Sequence, residues 1–170
     1  MKGYERDDPM RTILLTALLC SAPPVLAQAP DDPAYERIDK QPPTQEEIDS
    51  ILLVPTVTDG ISYIGGGVGV AERAALEQWA KDYTLRIEMA RKSGEYLGDM
   101  QVRVFNAKGE TVLEAPSDGP LFYVQLPDGP YAVEVGPLDP PAPTTAGLVP
   151  QIREVKIVGG KQARLFFIWP

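Results

Sequence analysis

The side chains in this sequence best suited to chemistry are carboxylates. Asp99, Asp118, Asp128 and Asp139 each stand in or beside a turn-forming stretch, where carboxylate oxygens could gather around Ca²⁺. No Asp-x-Asp-x-Asp run accompanies them, and an aspartate at a turn ordinarily bonds its own backbone. Both readings stand, with Asp99, Asp118 and Asp128 as the calcium candidates. Glu46-Glu47 and Asp31-Asp32 are paired acids, but neighbours in a proline-rich segment cannot be held on opposite sides of a substrate as a glycosidase requires. No Ser-x-x-Lys motif prepares a serine nucleophile. The 170 residues include no histidine and one cysteine. This removes Ser-His-Asp and Cys-His relays, histidine-containing zinc sites and the two-histidine iron site. A lone cysteine closes no intramolecular disulfide. The expectation is therefore a protein that is not an enzyme, with no cofactor.

A glycine tract, Ile64-Gly65-Gly66-Gly67-Val68-Gly69, runs into a helix-forming stretch, the order found in phosphate-cradling loops. The spacing fails that test. From Gly65 the sixth residue is Val70 and from Gly67 it is Glu72, where a dinucleotide loop needs glycine or alanine, and no Gly-Lys-Ser/Thr follows. The tract is read instead as a flexible or tightly turning lead-in to the helix. With 24 acidic and 16 basic residues the chain carries a formal charge of -8, and no run of Lys or Arg interrupts it. No nucleic-acid partner is expected.

The elements that would position these groups begin after an export signal. Met10-Arg11 precede the charge-free run Thr12–Leu19, and Val25-Leu26-Ala27 places small residues where a signal peptidase reads. A signal peptide over residues 1–27 follows, with cleavage before Gln28; the mixed charge of Met1–Pro9 points to Met10 as the start. Cys20 is either lost with the signal or lipidated, and Leu19 before it is a poor fit to a lipobox. Cleavage removes three basic and three acidic residues, so the charge stays at -8. The resulting chain, without Cys or His, suits an oxidising periplasm or exterior, and is not expected to span the membrane.

Residues 28–60 form a linker rich in proline and acid. Within it Thr44-Gln-Glu-Glu47 has capping-box spacing and predicts a short helix over 44–53. In 61–83 the glycine tract leads into an amphipathic helix, Ala71–Asp82, with Leu76, Trp79, Ala80 and Tyr83 on one face and Glu77 and Lys81 as an i,i+4 pair. From Thr84 the period changes to two: Leu85/Ile87/Met89, Val102/Val104, Thr111–Ala115, Phe122/Val124/Leu126, Tyr131/Val133/Val135, Val155/Ile157 and Leu165/Phe167/Trp169. Turn formers separate these runs. Residues 84–170 are thus expected to form a mainly β, seven-stranded antiparallel sandwich of immunoglobulin-like size, preceded by the helix. In the last strand Phe166 and Ile168 are apolar on the outer face as well. The helix is read as their cover, with a contact surface as the alternative.

Two stretches carry a family signature. Ser93-Gly-Glu-Tyr-Leu-Gly-Asp-Met-Gln-Val-Arg-Val-Phe-Asn-Ala-Lys-Gly109 resembles the opening of carboxypeptidase regulatory-like (transthyretin-like) domains, and Gly119-Pro-Leu-Phe-Tyr-Val-Gln-Leu-Pro-Asp-Gly-Pro-Tyr-Ala-Val-Glu-Val135 is similar to their aromatic strand, Leu-Pro-x-Gly-x-Tyr turn and return strand. The motif residues are Gly109, Leu126, Pro127, Gly129 and Tyr131: Pro127 sets the turn, Gly129 allows a positive φ and Tyr131 enters the core. The glycine tract and Glu-Arg-Ala helix further resemble small exported proteobacterial proteins with one such domain. The resemblance implies a transthyretin-like sandwich and no particular activity. It also carries no known catalysis across. The zinc carboxypeptidases bearing this module keep their histidines in another domain, and the related hydroxyisourate hydrolases need histidines and a terminal Tyr-Arg-Gly-Ser, whereas this chain ends Phe-Phe-Ile-Trp-Pro.

One loop is unusual. Gly136–Pro150 has five prolines in fifteen residues, and loops of this length are either functional or tolerated insertions. Pro140-Pro141-Ala-Pro143 leans toward polyproline II, a pre-ordered surface. Pro140, Pro141, Pro143, Phe166 and Ile168 are the candidate partner contacts. The expected role is an exported binding or structural module of the cell envelope, whose partner is an envelope protein or polysaccharide. The alternative is an accessory or chaperone-like subunit docking through the helix and its glycine lead-in. An unrecognised hydrolase is the third reading.

Overall fold

The computed structural model describes residues 42–170. The expected signal peptide, Cys20, both candidate starts and the acids Asp31 and Asp32 lie outside the described residues. The first described element is α1, Gln45–Asp49, shorter than the 44–53 expected. The Thr44 hydroxyl accepts from the Glu47 amide while the Glu47 carboxylate accepts from the Thr44 amide, the reciprocal capping box.

Two strands then occupy sequence that reads as linker and glycine lead-in. β1 (Thr56–Thr58) and β2 (Ile61–Gly66) form a hairpin whose two turn residues, Asp59 and Gly60, have φ of 50° and 81°. Both values are positive, as a two-residue turn that follows the strand twist requires. The helix α2 spans Val70–Trp79 and tightens into a 3₁₀ turn over Ala80–Asp82. Glu72 folds back so that its carboxylate accepts from the Val68 amide. No helix among the described residues is long and apolar enough to cross a membrane.

Seven further strands follow: β3 (Leu85–Arg91), β4 (Met100–Phe105), β5 (Thr111–Ser117), β6 (Leu121–Val124), β7 (Gly129–Pro137), β8 (Gln151–Ile157) and β9 (Ala163–Trp169). Each corresponds to one of the period-two runs. The described residues therefore hold nine strands, not seven. They form a five-stranded sheet in the order β1-β2-β6-β3-β9 and a four-stranded sheet in the order β5-β4-β7-β8. Pairing is antiparallel except between β3 and β9, which run parallel, a departure from the all-antiparallel expectation. The partition also differs from an immunoglobulin constant domain, where the first, second, fifth and fourth strands share a sheet. Here the first of the seven, β3, lies between the fourth and the seventh.

The two sheets enclose one core. Leu85, Ile87, Met89, Phe122, Val124, Phe167 and Trp169 face Met100, Val102, Val104, Leu113, Val133, Val135 and Ile157, all buried. A smaller cluster lies on the other side of the five-stranded sheet, where Leu76 of α2 and Ala80 of the 3₁₀ turn seat on Ile64, Leu121 and Tyr123. This close approach explains two glycines. A Cβ on Gly66 would stand 3.3 Å from Leu76 Cδ1, and a Cβ on Gly119 would collide with the Gly66 carbonyl. The tract is thus partly a strand packed under the helix. Two expectations for α2 are corrected. Trp79 stays 46% exposed, and Glu77 bonds Arg86 rather than Lys81, because the sheet beneath offers a guanidinium at 2.9 Å.

Candidate functional site

The carboxylates do not converge. Asp128, in the β6–β7 turn, accepts from the amides of Gly159 (2.8 Å) and Gly160 (3.3 Å), clamping the β8–β9 turn. Asp99 precedes β4 and Asp118 follows β5, at the other end of the strands, so the three calcium candidates are split between the two ends. No group of three or more His, Cys, Asp or Glu that could hold a metal occurs among the described residues. Asp99 adopts a φ of 54°, and Asp139 lies in the β7–β8 loop.

The motif residues organise turns. Gly109 has a φ of 79°, and the Asn106 side chain accepts from the amides of Lys108 and Glu110 to close the β4–β5 turn. Leu126 is buried, with its amide donating to the Thr84 hydroxyl at 2.7 Å and its carbonyl accepting from that hydroxyl at 2.9 Å. Pro127 supplies the carbonyl to which the Tyr131 hydroxyl donates at 3.0 Å. Tyr131 is therefore half-buried at the margin of the core rather than within it, because its hydroxyl must reach that carbonyl. Burial first, and the Asp128 charge second, push its phenol up from the usual tyrosine value. Gly129 has a φ of 158°, close to extended.

The candidate partner contacts, in contrast, lie on one edge strand and on the loop that is tied to it. β9 is an edge strand, and the β7–β8 loop folds against its C-terminal end. Trp169 Nε1 donates to the Val149 carbonyl (2.8 Å), Gln151 Nε2 to the Ile168 carbonyl (3.0 Å), and Arg91 Nη2 to the Thr144 carbonyl (2.7 Å). Thr145 is fully buried and Leu148 packs on the core. The loop is thus tied down over its second half, while Pro140, Pro141 and Pro143 remain exposed. A groove of about 360 Å³ runs between Gly147–Gln151 and Trp169-Pro170. Phe166 and Ile168 are 50% and 47% exposed. The expectation that the helix covers them is overturned: α2 sits on β2 and β6, two strands away from β9.

Charge is distributed unevenly over the same sheet face. Arg86 of β3 bonds Glu77 at 2.9 Å and Glu88 at 3.2 Å, and its guanidinium lies 5.8 Å from the Tyr123 ring centre. Burial works against the Arg86 charge, and Tyr123, Glu77 and Glu88 outweigh it, so the guanidinium is held charged. Burial pushes the Tyr123 phenol up, with Arg86 opposing. The Tyr123 hydroxyl and Arg86 Nε are both buried without a hydrogen-bond partner among the described residues. In register with Arg86 across the β3–β9 ladder is Arg164.

Sequence reasoning missed β1 and β2. Asp59-Gly60 between Thr-Val-Thr and Ile-Ser-Tyr-Ile was the available signal, a hairpin turn flanked by strand formers. Compared with known proteins, the chain matches no family model and no curated protein.

Proposed function

We propose that this chain is an exported, non-enzymatic binding or structural module of the cell envelope, built on a carboxypeptidase regulatory-like (transthyretin-like) sandwich. Its working surface is the β9 side, where Phe166 and Ile168 adjoin the anchored loop that carries Pro140, Pro141 and Pro143. One observation carries this reading: an edge strand with two large exposed apolar side chains is left bare by the helix, which packs on β2 and β6 of the same sheet face. The protonation shifts agree with it. Tyr123 and Tyr131 move up, Glu47 moves down and the two shifted arginines move up, each away from the neutral range that acid–base catalysis uses.

The second reading, an accessory subunit docking through α2, is favoured by a different observation. A groove of about 450 Å³ between α1 and α2 is lined by Ile48, Leu52, Leu53, Ala75 and the exposed Trp79. A photo-crosslinking amino acid placed singly at Phe166, Trp79 or Glu114 in the producing cells separates the two. A discrete adduct from position 166, with none from 114, is the expected result; an adduct only from 79 transfers the role to the helix. Cell fractionation that leaves the mature protein in the cytosol would sink the export claim.

A further inference from the structure

The outer edge of β9 has the chemistry to accept a further strand. The Ala163 amide donates to the Thr84 carbonyl and the Lys92 amide to the Trp169 carbonyl, both at 2.8 Å, so the odd-numbered residues of β9 turn their backbone groups toward β3. By the alternation of a parallel ladder, Arg164, Phe166 and Ile168 turn theirs to the open side. Among the described residues no strand pairs there. Gln151 caps the Ile168 carbonyl, which leaves the amides of residues 164, 166 and 168 and the carbonyls of 164 and 166 to be matched. β9 has little of the usual protection of an edge: its seven residues contain no proline, lysine or bulge, and Arg164 is its one charged residue.

Charge selects the occupant. Arg164 stands opposite Arg86, whose two carboxylates are already engaged. A like-charge cross-strand pair is unfavourable, and an anion would relieve it. Arg153 of β8 reaches over the Phe167 ring, with its guanidinium carbon 5.4 Å from the ring centre, on the other side of the same edge. Neither Arg153 nor Arg164 has a carboxylate within ion-pair distance among the described residues. The edge is thus a basic, apolar strip on a chain of charge -8. A second copy is a poor fit, because antiparallel β9–β9 pairing would gather four arginines at one seam without an acid.

We propose that β9 binds an extended acidic segment of another protein as an added strand, with acids set against Arg164 and Arg153 and apolar residues against Phe166 and Ile168. This rests on the reading that the β9 face is the working surface, and names its partner.

The test is titration of the purified chain with nine-residue synthetic peptides alternating Glu and Val, or Lys and Val, followed by backbone amide shifts and Trp169 fluorescence. The Glu peptide is expected to saturate with shifts centred on 164–168, and the Lys peptide to bind at least about ten-fold more weakly. Arg164→Glu should cost a similar factor. Phe166→Pro removes an amide that β3 does not use and should abolish binding while the fold persists. Should that variant unfold, a Glu peptide N-methylated at alternate amides serves instead and should not bind. Equal binding of the two peptides, no binding by either, shifts elsewhere, or self-association through β9 in sedimentation would each overturn the proposal. A crosslink from position 166 in cells that survives such a failure leaves the working surface in place and removes only the acidic strand.

Discussion

The two halves of the outer face of the five-stranded sheet are built from similar strands and end differently. Over β2 and β6, Ile64, Leu121 and Tyr123 are sealed beneath Leu76 of α2 and Ala80 of the 3₁₀ turn that follows it. Over β9, Phe166 and Ile168 are about half exposed, while Arg86 of β3, in register with Arg164, is still reached by Glu77 of α2. Apolar content does not separate the halves, since both carry large hydrophobic side chains. What separates them is cover: the turn at Gly67 directs α2 back over β2 as soon as the strand ends, and ten helical residues span only the near strands. The covered half contributes to stability, and the bare half is free to bind.

The largest effect should come from breaking the cover. Leu76→Ala removes a fully buried side chain and is expected to destabilise the fold by about 2–5 kcal/mol in denaturant melts. A loss below about 1 kcal/mol would mean that α2 rests on the sheet without supporting it. Next comes the seam between the halves, where the buried Thr84 hydroxyl on the β3 side holds both backbone groups of Leu126 beyond β6. Thr84→Val leaves these groups unpaired and should cost about 1–3 kcal/mol.

The Tyr123 phenol sharpens the contrast through pH. Its folded pKa is raised by burial, so the stability tied to its neutral form is fully present below the ordinary tyrosine value of 10.0 and is lost as pH rises through the folded value. Alkaline titration of the melting temperature should therefore show a falling limb above that pH. Tyr123→Phe should flatten it and, by removing an unpartnered buried hydroxyl, leave neutral-pH stability unchanged or slightly higher. A steeper limb in the variant would contradict this account. The smallest effect belongs to the bare half. Phe166→Ser and Ile168→Ser should each change stability by no more than about 0.5 kcal/mol. A loss comparable to that of Leu76→Ala would show that this half is structural after all.

Much of the sandwich was legible before any coordinates. The alternation of Leu85/Ile87/Met89, Val102/Val104 and Val133/Val135 marked their inward faces, and all of these residues are buried. Tyr131 was harder to place, because one hydroxyl on an otherwise inward ring made its depth depend on where the Pro127 carbonyl would lie. The β1–β2 hairpin was hidden by composition: glycines that pattern as a loop are needed in β2 because Glu72 and Leu76 of α2 crowd Gly66 and the Phe122 ring crowds Gly65. The candidate surface was half legible. Phe166 and Ile168 stood out as apolar on both faces of a strand, but whether the helix reached them depended on the place of β9 in the sheet.

Side-chain type and period by themselves determined the inward faces of β3–β9, the turn at Gly109, and the absence of histidine and thiolate chemistry beyond a single cysteine. These are local properties, because a strand of period two has only one way to bury its apolar side. The tertiary structure alone decided that β9 runs parallel beside β3, that it ends a sheet, and that α2 stops short of it. Strand pairing joins backbone groups that are the same at every residue, so the identity of a strand's neighbour, and with it the bare edge beside Phe166, emerges only when the whole chain has packed.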